Sequence, residues 1–183
     1  EEMNRQLVSR LADIHLCPTE LDKDHLFSER VEGEIHVVGN TVLDNLIHLT
    51  PSYNSEILIT MHRRENHQII PEWFDGFESL ATANPDLDFI FLSHPNPNVQ
   101  SHIHRLKKVQ VVSPLPHREL IQKLKDCRFI ITDSGGLQEE SCFLNKKSIV
   151  CRHKTERTAG VGIWSTLCSE PSDLKSIFNK IKV

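Results

Sequence analysis

The sequence predicts an α/β fold, a parallel sheet with helices on both faces. Two observations carry that reading. Short apolar runs of strand type alternate along the chain with longer amphipathic stretches of helix type. Three of the apolar runs also end in polar clusters, Thr60-Met61-His62-Arg63-Arg64, Thr132-Asp133-Ser134-Gly135-Gly136 and Cys151-Arg152-His153-Lys154. Open α/β sheets bind ligands beyond the carboxyl ends of their strands, which is where these clusters fall.

Taken in order, Glu1 to Ala12 is helical and opens without a cap. Ile14-His15-Leu16-Cys17 reads as a strand, and Pro18-Thr19-Glu20 starts a helix through Leu26 and Phe27, with Thr19 as N-cap. Ile35-His36-Val37-Val38 is a second strand, closed by Gly39-Asn40-Thr41, and a helix follows with Val42, Leu43, Leu46 and Ile47 on its face. Pro51-Ser52-Tyr53-Asn54 is a linker. Strands are then expected at Ile57–Thr60, Asp88–Leu92, Val109–Val112, Phe129–Thr132 and Ser148–Val150. Helices are expected at Glu72–Thr82, His102–Leu106, Arg118–Lys125 and after Ser134-Gly135-Gly136. Leu174 to Phe178 begins a last amphipathic helix, and both ends read as cuts through a larger protein.

Composition excludes several classes. The 183 residues suffice for one domain or slightly more, and 38 % hydrophobic with 25 % charged content suits a globular chain. A net charge of −4 argues against a nucleic-acid surface, which would be basic. No apolar run approaches the roughly 18–20 residues of a membrane helix, and no secretory segment is visible. Cys17, Cys127, Cys142, Cys151 and Cys168 form no CxxC pair and read as buried thiols in a reducing cytoplasm. His102 and His104 make an HxH without an evident third ligand, so no metal is expected there.

The chemistry concentrates at the strand ends. Phe129 to Ile131 feeds a helix through Ser134-Gly135-Gly136, with Leu137, Ser141 and Leu144 on one helix face. Such a junction presents unpaired backbone N–H groups at the positive end of a helix dipole, a ready site for phosphate. Glycines let a ligand approach the backbone, and Glu140, about a turn on, could accept hydrogen bonds from a sugar diol. The plain alternative is an ordinary βα turn with an exposed acidic pair. His62, Arg63 and Arg64 suit an anionic ligand as donors to phosphate; the alternative is a solvated loop with an Arg–Glu pair.

Six ordered segments resemble the UDP-N-acetylglucosamine 2-epimerase family. Glu1-Glu2-Met3-Asn4-Arg5 is similar to its EE-x-N-R, and Val38-Gly39-Asn40-Thr41-Val42-Leu43-Asp44 to its VGNTV-x-D. His62-Arg63-Arg64-Glu65-Asn66 resembles HRREN, and His94-Pro95-Asn96-Pro97 resembles HPNP. Thr132 to Glu140 resembles TDSGG-x-QEE, and Thr155-Glu156-Arg157 resembles TER. The resemblance implies a Rossmann-like fold like the second domain of a two-domain, GT-B-like nucleotide-sugar protein, with substrate between the domains. Residues 1–50 would be the tail of the first domain and residues 51–183 a truncated second one.

It also implies roles. Glu1 and His62 would be catalytic, His62 touching the nucleotide sugar. Ser134, Gly135 and Gly136 would cradle the diphosphate, Glu140 would hold the ribose, and Arg157 would stand on the phosphate side. Arg63 and His94 would bind a second, activating nucleotide sugar found in some bacterial members. The expected ligand is UDP-N-acetylglucosamine, with no cofactor, metal, nucleic acid or membrane, in a cytoplasmic protein that is a homodimer at full length and serves polysaccharide biosynthesis. The implied reaction inverts C2 by UDP elimination and re-addition, or hydrolyses to N-acetylmannosamine. A nucleotide-sugar glycosyltransferase domain with the same phosphate cradle is the alternative. The chain alone is expected to be inactive. Two departures stand out. His117 and Leu120 replace the aromatic residues against which the family packs uracil, and Thr158-Ala159-Gly160 follows Arg157 where Pro-Glu is common. The second leaves open the choice between a reversible epimerase and a hydrolysing relative.

Overall fold

The structure is a computed structural model that describes residues 2–155 and 160–182. The chain forms two compact units, Glu1–His48 and Leu49–Val183. In the first, α1 (Glu2–Ser9) leads to a parallel pair, β1 (Ile14–Cys17) and β2 (Glu34–Val37), joined by α2 (Glu20–Ser28) and in register from Ile14↔Glu34 to Cys17↔Val37. Thr19 caps α2 reciprocally: its hydroxyl accepts from Asp22 N at 3.2 Å, and the Asp22 carboxylate accepts from Thr19 N at 3.1 Å. The helix expected after Gly39 is a 3-10 helix, Thr41–Leu46, in which only Leu46 is buried. Six residues with one apolar anchor and β-branched Thr41 and Val42 give an α-helix little to gain.

The second unit is a six-stranded, wholly parallel sheet in the order β5-β4-β3-β6-β7-β8. Its strands are β3 (Glu56–Thr60), β4 (Asp88–Leu92), β5 (Gln110–Val112), β6 (Phe129–Thr132), β7 (Ser148–Val150) and β8 (Ser165–Leu167). Side chains alternate between faces along each strand. Ile57, Ile59, Phe89, Phe91, Phe129, Ile131 and Ile149 share one core with Trp73, Phe74, Phe77 and Leu80 of α3 (Ile70–Ala83) and with Leu174 and Phe178 of α7 (Leu174–Ile181). Phe74 meets Phe91 edge-on with centroids 4.9 Å apart, a favoured aromatic geometry. The intervening Leu58, Ile90, Ile130 and Val150 are buried too, on the side taken by α5 (His117–Asp126) and α6 (Gly135–Phe143). Burial on both faces explains why these strands read as unbroken apolar runs.

Two details differ from expectation. The helix expected over His102–Leu106 is split into α4 (Pro97–Gln100) and a 3-10 turn, Ile103–Arg105. Asn96 caps the earlier turn through Asn98 N and Pro97 occupies its first position, so the helix starts and ends sooner. Strand β8 has no counterpart in the expected strands, because Ser165-Thr166-Leu167 is three residues long and only partly apolar. No helix among the described residues is long and apolar enough to cross a membrane. Since all six strands run the same way, their carboxyl ends lie along a single edge, and the polar clusters are gathered there.

Candidate functional site

Thr60 and Thr132 close the neighbouring strands β3 and β6, and their hydroxyls lie 2.6 Å apart. Just beyond them Asp133 is fully buried. Its carboxylate accepts from His62 N at 2.9 Å, Arg63 N at 2.8 Å and Asn66 Nδ2 at 3.1 Å. Asn66 also donates to Cys151 O at 3.0 Å. One buried carboxylate and one buried amide thus tie together the segments leaving β3, β6 and β7. A buried charge needs such donors, and here they come from the loop that carries His62.

The His62 ring is placed by that loop. Its Nδ1 lies 3.3 Å from Asp133 Oδ1, and the ring stacks on His94 with centroids 5.1 Å apart and planes 20° apart. Burial holds its pKa below the usual histidine value; Asp133 opposes that shift, while His94, Arg63 and His67 add to it. His67 links two loops, with Nε2 3.2 Å from His62 O and Nδ1 3.0 Å from Asn98 Nδ2.

Helix α6 opens as its sequence suggests. Ser134 is the N-cap; its N–H donates to Thr132 Oγ1 at 2.9 Å and its hydroxyl accepts from Leu137 N at 3.4 Å. The first bond of the helix runs from Gln138 N to Ser134 O. The N–H groups of Gly135 and Gly136 therefore have no acceptor within the helix. A Cβ on Gly136, which is exposed, would meet only Ser134 Oγ, at 3.9 Å. The protein's own packing leaves room for a side chain there, so packing does not require the glycine.

Glu140 is 5 % exposed, and its Oε1 lies 3.1 Å from His117 Nε2. Burial raises its pKa above the usual glutamate value, and His117 pulls it back in part. His62, His94, His117, Ser134, Gly136 and Glu140 line one cavity of about 320 Å³, with Pro114, Leu115 and Leu120 as its apolar wall. That size lies within the range of roughly 300–1,000 Å³ for small-ligand sites. The cavity combines free amides, imidazoles, a carboxylate and an apolar wall, which suits a ligand with phosphate, hydroxyl and planar apolar parts.

Among the residues singled out in the sequence, His62, His94, Ser134, Gly136 and Glu140 come together at the cavity, and Gly135 lies buried at the start of α6. Arg63 is half-buried beside it and bound through its backbone to Asp133. Glu1 and Arg157 lie outside the described residues. Of the third cluster, Arg152 turns inward to Glu65, 2.9 Å from Nε to Oε1, and Thr155 donates to Gln138 Oε1 at 2.8 Å. Sequence reasoning gave no role to Asp133, Asn66 or His67, or to the pairing of His117 with Glu140. The signal for Asp133 was its place just after the apolar run Phe129 to Ile131, in a strand buried along its whole length, where a carboxylate must find donors.

A family model described as UDP-N-acetylglucosamine 2-epimerase matches residues 1–182. The UDP-N-acetylglucosamine 2-epimerase of Campylobacter jejuni is 34 % identical over 190 residues, covering 88 % of this chain and 50 % of that protein. The crystal structure of UDP-GlcNAc 2-epimerase from Neisseria meningitidis bound to UDP-GlcNAc superposes with a TM-score of 0.84 at 30 % identity, over 98 % of this chain and 56 % of that one. The S. aureus MnaA–UDP co-structure gives a TM-score of 0.81 at 30 % identity, over 98 % of this chain and 53 % of that one. The chain spans about half the length of the curated relatives it matches. On the match over residues 1–182, the chain belongs to the UDP-N-acetylglucosamine 2-epimerase family.

Proposed function

We propose that the chain supplies the nucleotide-binding side of a UDP-N-acetylglucosamine 2-epimerase. The observation that carries this is the convergence of the α6 amides, His62 and Glu140 on one cavity in a chain of this family. The diphosphate would lie over Ser134, Gly135 and Gly136, where the helix amides meet negative charge without reorganising. Glu140 would accept from the ribose hydroxyls, and Pro114, Leu115, His117 and Leu120 would face the base. Residues 51–183 would be the second domain of the two-domain protein, and residues 1–50 the tail of the first.

The chemistry assigns clear tasks. The sugar C2 proton is poorly acidic, so its removal is coupled to departure of UDP from C1, giving an unsaturated sugar and free UDP. Charge grows on the diphosphate as the C1–O bond breaks. Preorganised donors, the α6 amides with His62 and Arg157, would stabilise it, each being worth about 3–4 kcal/mol in comparable sites. Carboxylates, with Glu1 a candidate, would take the C2 proton and return one to the opposite face. Re-addition of UDP completes epimerisation; addition of water at C1 gives N-acetylmannosamine. Arg63 and His94 would hold a second nucleotide sugar beside the first. The five free, mostly buried cysteines support a reducing, cytoplasmic setting.

Because residues 51–183 would be one of two domains, the test uses the full-length protein: incubation with UDP-N-acetylglucosamine, with products resolved by proton NMR. N-acetylmannosamine, UDP-linked or free, is the expected product. Transfer of an uninverted sugar to an acceptor would replace this reading with a glycosyltransferase.

A further inference from the structure

His62 is held on four sides. Its N–H donates to Asp133 Oδ2 at 2.9 Å, its carbonyl lies 3.2 Å from His67 Nε2, its ring stacks on His94, and its Nδ1 faces Asp133 Oδ1 at 3.3 Å. Asp133 cannot swing away, because Arg63 N and Asn66 Nδ2 also donate to it and it has no exposed surface. An unprotonated Nδ1 at that distance would set a lone pair against a carboxylate that has no exposed surface. A protonated Nδ1 turns the same contact into attraction.

We propose that Asp133 is a positioning residue for His62: it fixes the neutral ring as the Nδ1–H tautomer and leaves Nε2 as the nitrogen that meets the ligand. The clause about the ligand rests on the nucleotide-sugar reading; the tautomer does not. The charged and titratable groups around the ring are Asp133 after β6, Arg63 on its own loop, His67 in the 3-10 helix Arg64–Ile69 that follows and His94 after β4, with His117 and Glu140 on the same cavity. Asp133 alone among the first four favours the imidazolium, and burial works against it. A diphosphate arriving at Nε2 adds a second negative neighbour. The ring then takes up a proton, with Nδ1–H facing Asp133 and Nε2–H donating to the phosphate.

Long-range proton–nitrogen correlation spectra of the histidine rings test this directly. The free protein should show neutral His62 as the Nδ1–H tautomer. Asp133→Asn should lower the His62 titration midpoint further and erode the tautomer preference. It should also weaken UDP binding by about tenfold, the size of one hydrogen bond to a charged group. Asp133→Asn combined with His62→Gln should bind UDP no worse than His62→Gln alone, because the two residues act as a unit. An Nε2–H tautomer in the unmodified protein overturns the proposal, and so does an unchanged His62 midpoint in folded Asp133→Asn. If that variant does not fold, the tautomer in the unmodified protein decides. Failure of UDP to bind the unmodified protein refutes the nucleotide reading instead, while the spectra of the free protein still judge Asp133.

Discussion

His117 Nε2 and Glu140 Oε1 lie 3.1 Å apart, so the imidazole of α5 and the carboxylate of α6 share one wall of the cavity. The pair joins an exposed ring to a carboxylate with almost no solvent access, which are 58 % and 6 % exposed at their side chains. A diol docking on Glu140 must share that carboxylate with His117.

Glu140, and not Glu139, is expected to hold the ribose. Neighbouring helix residues point about 100° apart, and only Glu140 of the two lines the cavity. Glu140→Gln should weaken UDP binding by about tenfold, since a hydrogen bond to a charged acceptor is worth roughly 1.5–3 kcal/mol. Glu139→Gln should change it much less. Calorimetric titration with UDP checks both variants, and equal or reversed effects would refute the assignment.

The same carboxyl makes a prediction about pH. Burial raises its folded-state pKa above the ordinary glutamate value. The folded protein therefore favours the acid form more than the unfolded chain does. Its contribution to stability is greatest below the unfolded value and is lost as pH rises through the folded value. Glu140→Gln should remove that loss, so at neutral pH its melting temperature should equal or exceed that of the unmodified protein while its UDP affinity falls. A lower melting temperature at neutral pH, with a normal one in acid, would contradict the sign.

What the sequence made legible follows from range. The runs Phe129–Thr132 and Ser148–Val150 are buried on both faces, so their apolar character announces them locally. The Thr19 cap and the Ser134 junction are equally local, each set within four residues. The Asp133 hub was not legible, because its donors, His62, Arg63 and Asn66, lie 67 to 71 positions away in sequence. The His117–Glu140 contact spans 23 positions and depends on how two helices settle on one face. Strand β8 is set by pairing of Ser148 with Ser165, reinforced by hydroxyls 2.8 Å apart, and not by its own apolar content.

Gly136 should matter for the ligand and little for the fold. Its Cβ position is open, and valine is a slightly better helix former than glycine, so Gly136→Val should change stability by less than about 1 kcal/mol. The added side chain would stand over the α6 amides, and UDP affinity should fall at least tenfold, about 1.4 kcal/mol. Unchanged affinity with an unchanged melting temperature would remove the α6 amides from the site.

Gly160 is expected to behave the opposite way. Its φ is +78°, and a Cβ there would fall 2.3 Å from Cys142 Sγ on α6. Gly160→Ala carries two separable costs. Overpacking typically costs about 1–3 kcal/mol, and a left-handed backbone without glycine costs about 1–3 kcal/mol more. Adding Cys142→Ala should relieve the first and leave the second. Thermal unfolding of both variants measures the split. Full recovery in the double variant would mean that the backbone strain is absent.

Lys146 should contribute to stability without touching the site. Its side chain is fully buried, and its ammonium donates to Ser52 O and, at 2.5 Å, to Cys127 O while lying 3.7 Å from the Tyr53 ring centroid. These partners lie at the amino ends of the strands, where Lys146 shortly precedes β7. Lys146→Met keeps most of the stem but leaves two carbonyls without this donor, at about 1–3 kcal/mol each. Part of that is offset because no ammonium need be desolvated, so a net loss of roughly 1–3 kcal/mol is expected. Burial lowers the lysine's folded-state pKa. The folded protein then binds this proton less tightly than the unfolded chain, and stability gains from this group as pH rises between the two values. Urea unfolding at neutral and alkaline pH should show that gain in the unmodified protein and a flatter response in Lys146→Met. UDP affinity should be the same in both, because the site lies at the opposite edge of the sheet. A variant that keeps its stability and loses UDP binding would reverse the assignment of Lys146 to the frame of the fold.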